Sequence, residues 1–164
     1  MIPTLPGVAH EHRERLMRHV DQLPTMGDLV GATDSAALRT EIDRALAFLA
    51  GTLLPHIEAA ERTLYPELER MLQNRHSMAP MRREHEEVRQ LVDQLVHIRH
   101  DLAGERLSTG ETIALRRVIF RLYALLKVHL AEEDLYLGIV EHGVSADAAE
   151  ALAVALAHPV AAEP

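Results

Sequence analysis

Four histidines in this chain form two copies of one pair. His12 and His56 are 44 residues apart, His85 and His129 are also 44 apart, and the second pair follows the first by 73. Their neighbours repeat as well: Glu11-His12 recurs as Glu84-His85, and PHIEAAERTLY has a counterpart in VHLAEEDLY, both ending in Leu-Tyr. Such spacing constrains a helical chain strongly, because two residues of an antiparallel hairpin share a height only when the turn lies midway between them. The midpoints are Asp34 and Leu107, and each falls in a stretch that reads independently as a turn, Gly31 to Ser35 and Gly104 to Gly110. The repeat therefore predicts two helical hairpins with their histidines level. It fails at one position: His129 has Glu133 four residues on, whereas His56 has Ala60.

Composition favours helix, with only five aromatic residues and abundant Ala, Leu, Glu and Arg. A first helix carries Val8, His12, Leu16, His19 and Leu23 on one face and runs to about Val30, despite Pro24 and Gly27. A long second helix has its stripe at Leu38, Ile42, Leu46, Leu49, Leu53, Ile57, Leu64, Leu68 and Met71, and ends near Gln73. Pro55 and Pro66 each remove a backbone donor from it, which predicts kinks near Gly51 and Tyr65. The third helix opens with Pro80 in its first turn, carries Met81, His85, Val88, Val92 and Leu95, and reaches about Ala103. The fourth runs from about Thr112 to Val140, with Leu115, Val118, Ile119, Leu122, Leu126, His129, Glu133, Leu137 and Val140 inward. The expected fold is all-α, an up-down-up-down four-helix bundle over residues 1–144, followed by an Ala-rich tail, 145–164, that adds a short helix.

The chain of 164 residues has no cysteine, so a bound metal must be held by nitrogen and oxygen. Eleven histidines make that possibility concrete. A formal charge of -8 argues against nucleic acid as a partner and suits a protein that holds a cation. No stretch has the uncharged length of a membrane span, and the start lacks a basic segment followed by an apolar run, so a cytoplasmic address is expected.

In a four-helix bundle all four repeated histidines can point into one central volume. His129 and Glu133 are separated by about 40° around their helix and so project together. Glu133 is also central in its apolar stripe. A carboxylate buried there needs a partner, since an unpaired buried charge costs more than a bundle of this size can carry. A cation such as iron, manganese or zinc is the natural one.

These residues resemble the hemerythrin-like, or HHE cation-binding, domains. That pattern places His in the first helix, His-x-x-x-Glu in the second, His in the third and His-x-x-x-Glu in the fourth. The resemblance spans about residues 8–142 and includes Leu64-Tyr65-Pro66 after the second motif. It implies a non-haem centre of two iron ions with an oxo or hydroxo bridge, and no haem. Carried across, His12, His56, His85 and His129 match the histidine ligands and Glu133 matches one of two bridging carboxylates. The other bridge falls at Ala60. Relative to that position Glu58 is turned by about 200° and Glu61 by about 100°. Glu61 is therefore the expected replacement, with a kink at Pro55 bringing it inward level with Asp134. Glu84 and Glu11, beside His85 and His12, are candidates to orient a ligand.

The resemblance further implies interaction with dioxygen, peroxide or nitric oxide, or sensing of iron and oxygen. Two alternatives start from Ala60: a more open centre that consumes peroxide enzymatically, and a one-metal or structural scaffold. His19 is expected on the inner face, about 10.5 Å along the helix from His12, as a core or access-path residue. Tyr65 and Tyr136 read first as packing residues, with Tyr136 better angled to offer a phenol oxygen.

Overall fold

The computed structural model describes residues 5–102 and 107–158, with side chains from His10 onward. All regular structure among them is helical. The first arm is α1 (Leu5–Val20) followed by α2 (Leu23–Leu29). The second arm, residues 35–71, comprises α3 (Ser35–Phe48), a π-helical turn (Leu49–Leu53), α4 (Leu54–Ala59), a second π-helical turn (Ala60–Leu64) and α5 (Tyr65–Met71). The third arm is α6 (Ala79–Asp101), the fourth α7 (Thr109–Gly143), and α8 (Ala146–Ala157) follows.

Local chemistry sets the ends. The first arm is two helices rather than the expected one: Pro24 has no N–H to give, so the chain breaks after Val20 and restarts with Pro24 in the first turn of α2. The turn beyond contains Gly31 at φ +83, a conformation suited to glycine, and Asp34 caps α3 by accepting from the Ala37 N–H at 2.9 Å. At α7, Ser108 accepts from the Glu111 N–H, and the Glu111 carboxylate accepts from the Ser108 N–H. This capping box draws Thr109 and Gly110 into the first turn, so α7 begins earlier than expected. Ala103 and Gly104, where the third helix was expected to end and the next turn to begin, lie outside the described residues. Ser145 caps α8, the short helix expected in the tail.

The two prolines of the second arm produce wide turns where kinks were expected. Leu54 N–H reaches back to the Leu49 carbonyl, and Tyr65 N–H to the Ala60 carbonyl, each spanning five residues. Pro55 and Pro66 come one residue later. In a regular α-helix their rings would press on the carbonyls four residues back, those of Gly51 and Arg62, and widening the turn gives the rings room.

Cross-arm pairs show neighbouring arms running antiparallel. Against α7, Arg13 pairs with Asp134, Asp21 with Lys127, and the Gly27 carbonyl with Arg116. Between the second arm and α6 the partners step from Leu102 for Arg39, through Arg99 for Asp43 and Arg89 for Glu61, to Arg82 for Glu69. Between α6 and α7, Glu84 meets His129 and Glu87 meets Arg121.

The core is split in two. A larger cluster includes Leu16, Ile42, Leu53, Leu95 and Leu122, and a smaller one includes Ala60, Leu64, Tyr65, Met81, Val140 and Leu156. The changeover falls between Ile57 and Ala59 on the second arm, between Met81 and Val88 on α6, and between Leu130 and Val140 on α7. The repeated histidines occupy that boundary, so the bundle encloses a polar layer between two apolar blocks. Among the described residues no helix is long and apolar enough to cross a membrane.

Candidate metal centre

The polar layer contains His12, His56, His85, His129 and Glu133, all buried; His85 and His129 have no exposed surface and Glu133 only 4%. His12 Nε2 lies 3.1 Å from His56 Nδ1, and His85 Nε2 lies 2.9 Å from His129 Nε2. Each histidine pair of the repeat therefore meets across its own hairpin. Glu133 joins the hairpins, with Oε1 2.9 Å from His56 Nε2 and Oε2 3.7 Å from His129 Nε2. Neither His56 Nε2 nor Glu133 Oε2 makes a hydrogen bond of acceptable alignment, although both atoms are buried. Among the described residues, His85, His129 and Glu133 form one group of possible metal ligands whose ligand atoms all lie within 4.8 Å of one another.

Outer carboxylates hold the imidazoles from behind. Glu61 Oε1 accepts from His85 Nδ1 at 2.8 Å, and Arg89 clamps both oxygens of Glu61 at 3.2 and 2.9 Å. Glu84 Oε2 accepts from His129 Nδ1 at 2.9 Å. A carboxylate can only accept, so His85 donates its Nδ1 proton and leaves Nε2 bare. The Tyr65 hydroxyl donates to that bare nitrogen at 3.0 Å. This is how a histidine ligand is usually oriented, with one nitrogen tied to an acid and the other presented inward.

The electrostatics suit a cation. Burial, reinforced by His56 and Arg15, lowers the His12 pKa to about 4. Burial, reinforced by His129, lowers His85 to about 4 despite the pull of Glu61. Both imidazoles are thus neutral near pH 7 with lone pairs to give. Burial also acts to lower His129, but the carboxylates of Glu133 and Glu84 outweigh it and hold that ring above its ordinary value. Glu133 shows the reverse contest: burial pushes its carboxyl up, and His56 and His129 together hold it well below the usual range. Glu61 likewise stays low, because hydrogen bonds from Arg89 and His85 overcome its burial. The Tyr65 phenol is pushed far up, by burial first and then by Glu133, Glu61 and Glu84.

The structure brings His12, His56, His85, His129 and Glu133 together in one layer. Glu61, expected inward in place of the carboxylate missing at Ala60, instead meets the outer nitrogen of His85, on the opposite side of the ring from the atom facing His129. Glu58 and Glu11 are exposed. Glu84 orients His129 rather than its own neighbour. His19 is not on the inner face; it is exposed and stacks on Phe48 with ring centroids 4.5 Å apart, because α1 turns Leu16 and Val20 inward and leaves residue 19 at the edge. Sequence reasoning ranked Tyr136 above Tyr65. Tyr136 is only half-buried against the smaller core cluster, while Tyr65 is fully buried with its hydroxyl in the polar layer. The available signal was Pro66, which marks a wide turn that shifts the face presented by residue 65.

The donor set fits a metal such as iron. It consists of nitrogen and oxygen, two imidazoles are held neutral, and a buried carboxylate oxygen aims into the cluster without a hydrogen-bond donor. No curated protein and no solved structure matched the chain. The model of the hemerythrin HHE cation binding domain matches residues 8–140, which take in most of all four arms and all four repeated histidines. With most of its length accounted for in this way, the chain belongs to the hemerythrin HHE cation-binding domain family.

Proposed function

We propose that this protein is a non-haem iron protein whose centre binds a small ligand of the dioxygen, peroxide or nitric oxide class. The observation that carries this reading is Glu133, a buried carboxylate with one oxygen turned toward each hairpin's histidines. In this reading His12 and His56 would hold one ion, His85 and His129 a second, and Glu133 would serve both. Iron bound there would supply redox chemistry and a place for the small ligand. The chain supplies neutral imidazoles, a bridging charge and a dry surround. A cavity of about 10 Å³ adjoins the site, lined by His12, His56, Glu133, Leu16, Leu130 and Leu156. Space of that order is about that of a single water, which leaves no room for an extended organic substrate beside the histidines.

A second reading, one iron in place of two, is favoured because, among the described residues, the tightly grouped ligands are His85, His129 and Glu133. Iron content of the loaded protein, with optical spectra before and after peroxide, separates the possibilities. About two irons per chain and a spectrum that responds to peroxide support the paired centre. About one iron supports the second reading, and no uptake overturns both.

A further inference from the structure

Ala60 lies fully buried on the inner face, at the position matching Glu133 on the other hairpin, and brings no charge to the layer. The side chain that enters the layer from this stretch is Tyr65. In a regular α-helix five residues turn through about 500°, which would leave residue 65 roughly 140° around from residue 60. The wide turn Ala60–Leu64 cancels much of that rotation, since Tyr65 N–H bonds to the Ala60 carbonyl and both side chains are completely buried. The Tyr65 hydroxyl oxygen then lies 3.0 Å from His85 Nε2, itself 2.9 Å from His129 Nε2. Two ligand atoms bound to one ion at about 2.0–2.2 Å and about 90° are roughly 2.8–3.1 Å apart. The hydroxyl thus has the separation from its neighbour expected of atoms that share an ion. The ring is also fixed in place: it lies nearly parallel to His85, 15° between planes, with the Arg82 guanidinium carbon 5.4 Å over its centre.

We propose that Tyr65 is a fourth ligand of the iron held by His85, His129 and Glu133, its phenolate standing in for the carboxylate absent at position 60. This rests on the iron-binding reading above. Imidazoles bound to a metal carry no charge, so together with one carboxylate they offer a ferric pair little negative charge, and a phenolate restores what the alanine removed. Ferric iron accepts tyrosinate as a ligand. Coordination replaces the phenol's O–H bond with an oxygen–iron bond, and the released proton leaves to water.

The test is the visible spectrum and iron content of ferric-loaded wild type, Tyr65→Phe and Tyr136→Phe. A tyrosinate-to-iron(III) charge-transfer band is expected in wild type and Tyr136→Phe and absent from Tyr65→Phe, which also takes up less iron. The substitution removes one oxygen and keeps the ring, so metal-free Tyr65→Phe is expected to unfold cooperatively. Should it not fold, Tyr65 is still identified among the chain's three tyrosines by a wild-type band that survives in both Tyr123→Phe and Tyr136→Phe. Ala60→Glu/Tyr65→Phe is expected to recover iron content without recovering the band. A wild type that binds iron without the band, or a band that persists in Tyr65→Phe, overturns the assignment and leaves iron binding standing. A wild type that binds no iron overturns both.

Discussion

Replacing Glu133 with glutamine distinguishes a carboxylate kept for a metal from one kept for the fold. The substitution preserves shape and hydrogen-bonding capacity toward His56 and His129 and removes one charge. Without metal, the native carboxylate is 4% exposed and faces His56 and His129. The raised pKa of His129 comes mainly from Glu133 itself, so that ring sheds its proton more readily once the charge is removed. Burying such a carboxylate costs several kcal/mol, and replacing buried ionic groups by neutral ones of similar volume is often neutral or stabilising. Metal-free Glu133→Gln should therefore unfold within about 1–2 kcal/mol of wild type, or above it.

Metal reverses the ranking. At a free iron concentration of about 1,000 times Kd, wild type gains about 4 kcal/mol, or about 8–16 °C in Tm for a chain of this length. Losing a group that contacts the metal should weaken binding by at least about 100-fold, which is about 2.7 kcal/mol. The iron-induced rise in Tm should then fall to no more than about 5 °C. Differential scanning calorimetry of both proteins, with and without iron, reads all four values. A variant that keeps the full rise refutes the role of Glu133 as a metal ligand. A metal-free variant destabilised by more than about 3 kcal/mol shows that the carboxylate holds the histidines together for the fold itself.

Three further predictions concern the surroundings. Glu61→Gln leaves the Arg89 clamp and the hold on His85 Nδ1 weakened, so iron affinity by titration should drop about 10–100-fold; no change denies the orienting role, and complete loss makes Glu61 a direct ligand. His12 and His85 have pKa values of about 4 in the fold against an ordinary 6.5, so the unfolded chain binds more protons between those values. Metal-free stability should accordingly fall as pH drops through that window, by about 3 kcal/mol per histidine, partly offset by the raised His129; a urea midpoint that stays level from about pH 7 to about pH 4.5 would contradict it. Gly138 lies inside α7 with nothing within 4 Å of an added Cβ, whereas a Cβ at Gly143 runs into the Met71 side chain. Gly138→Ala should raise Tm by about 2–3 °C and Gly143→Ala, where the Met71 methyl must first swing aside, should raise it less; a larger gain at Gly143 would count against the packing described.

The histidine spacing and turn signals were enough to place the arms, because helix periodicity and antiparallel geometry are both set by counting residues. Glu133 was legible for the same reason: α7 is regular from cap to end, so four residues from His129 is a dependable angle. Counting failed where the helix is not regular. Glu61, Tyr65 and Tyr136 were ranked on a constant 100° per residue, but the turn at Ala60–Leu64 holds one residue more than an α-helical turn and moves everything beyond it. The break at Pro24 similarly came from a missing donor that apolar spacing does not record. The holds on His85 and His129 from behind were harder to read, since they depend on which arm lies beside which. Glu84 is adjacent in sequence to His85 yet serves His129.

The wide turn at Ala60–Leu64 also sets which changes of length the second arm tolerates. It carries one residue more than an α-helical turn, and Pro66 depends on that residue. Deleting a residue from the turn would return the Arg62 carbonyl, or its replacement, to the path of the proline ring, so a deletion there is cheap only when the proline goes with it. The number of residues in this turn, as much as their identity, decides whether the side chain at position 65 faces the polar layer.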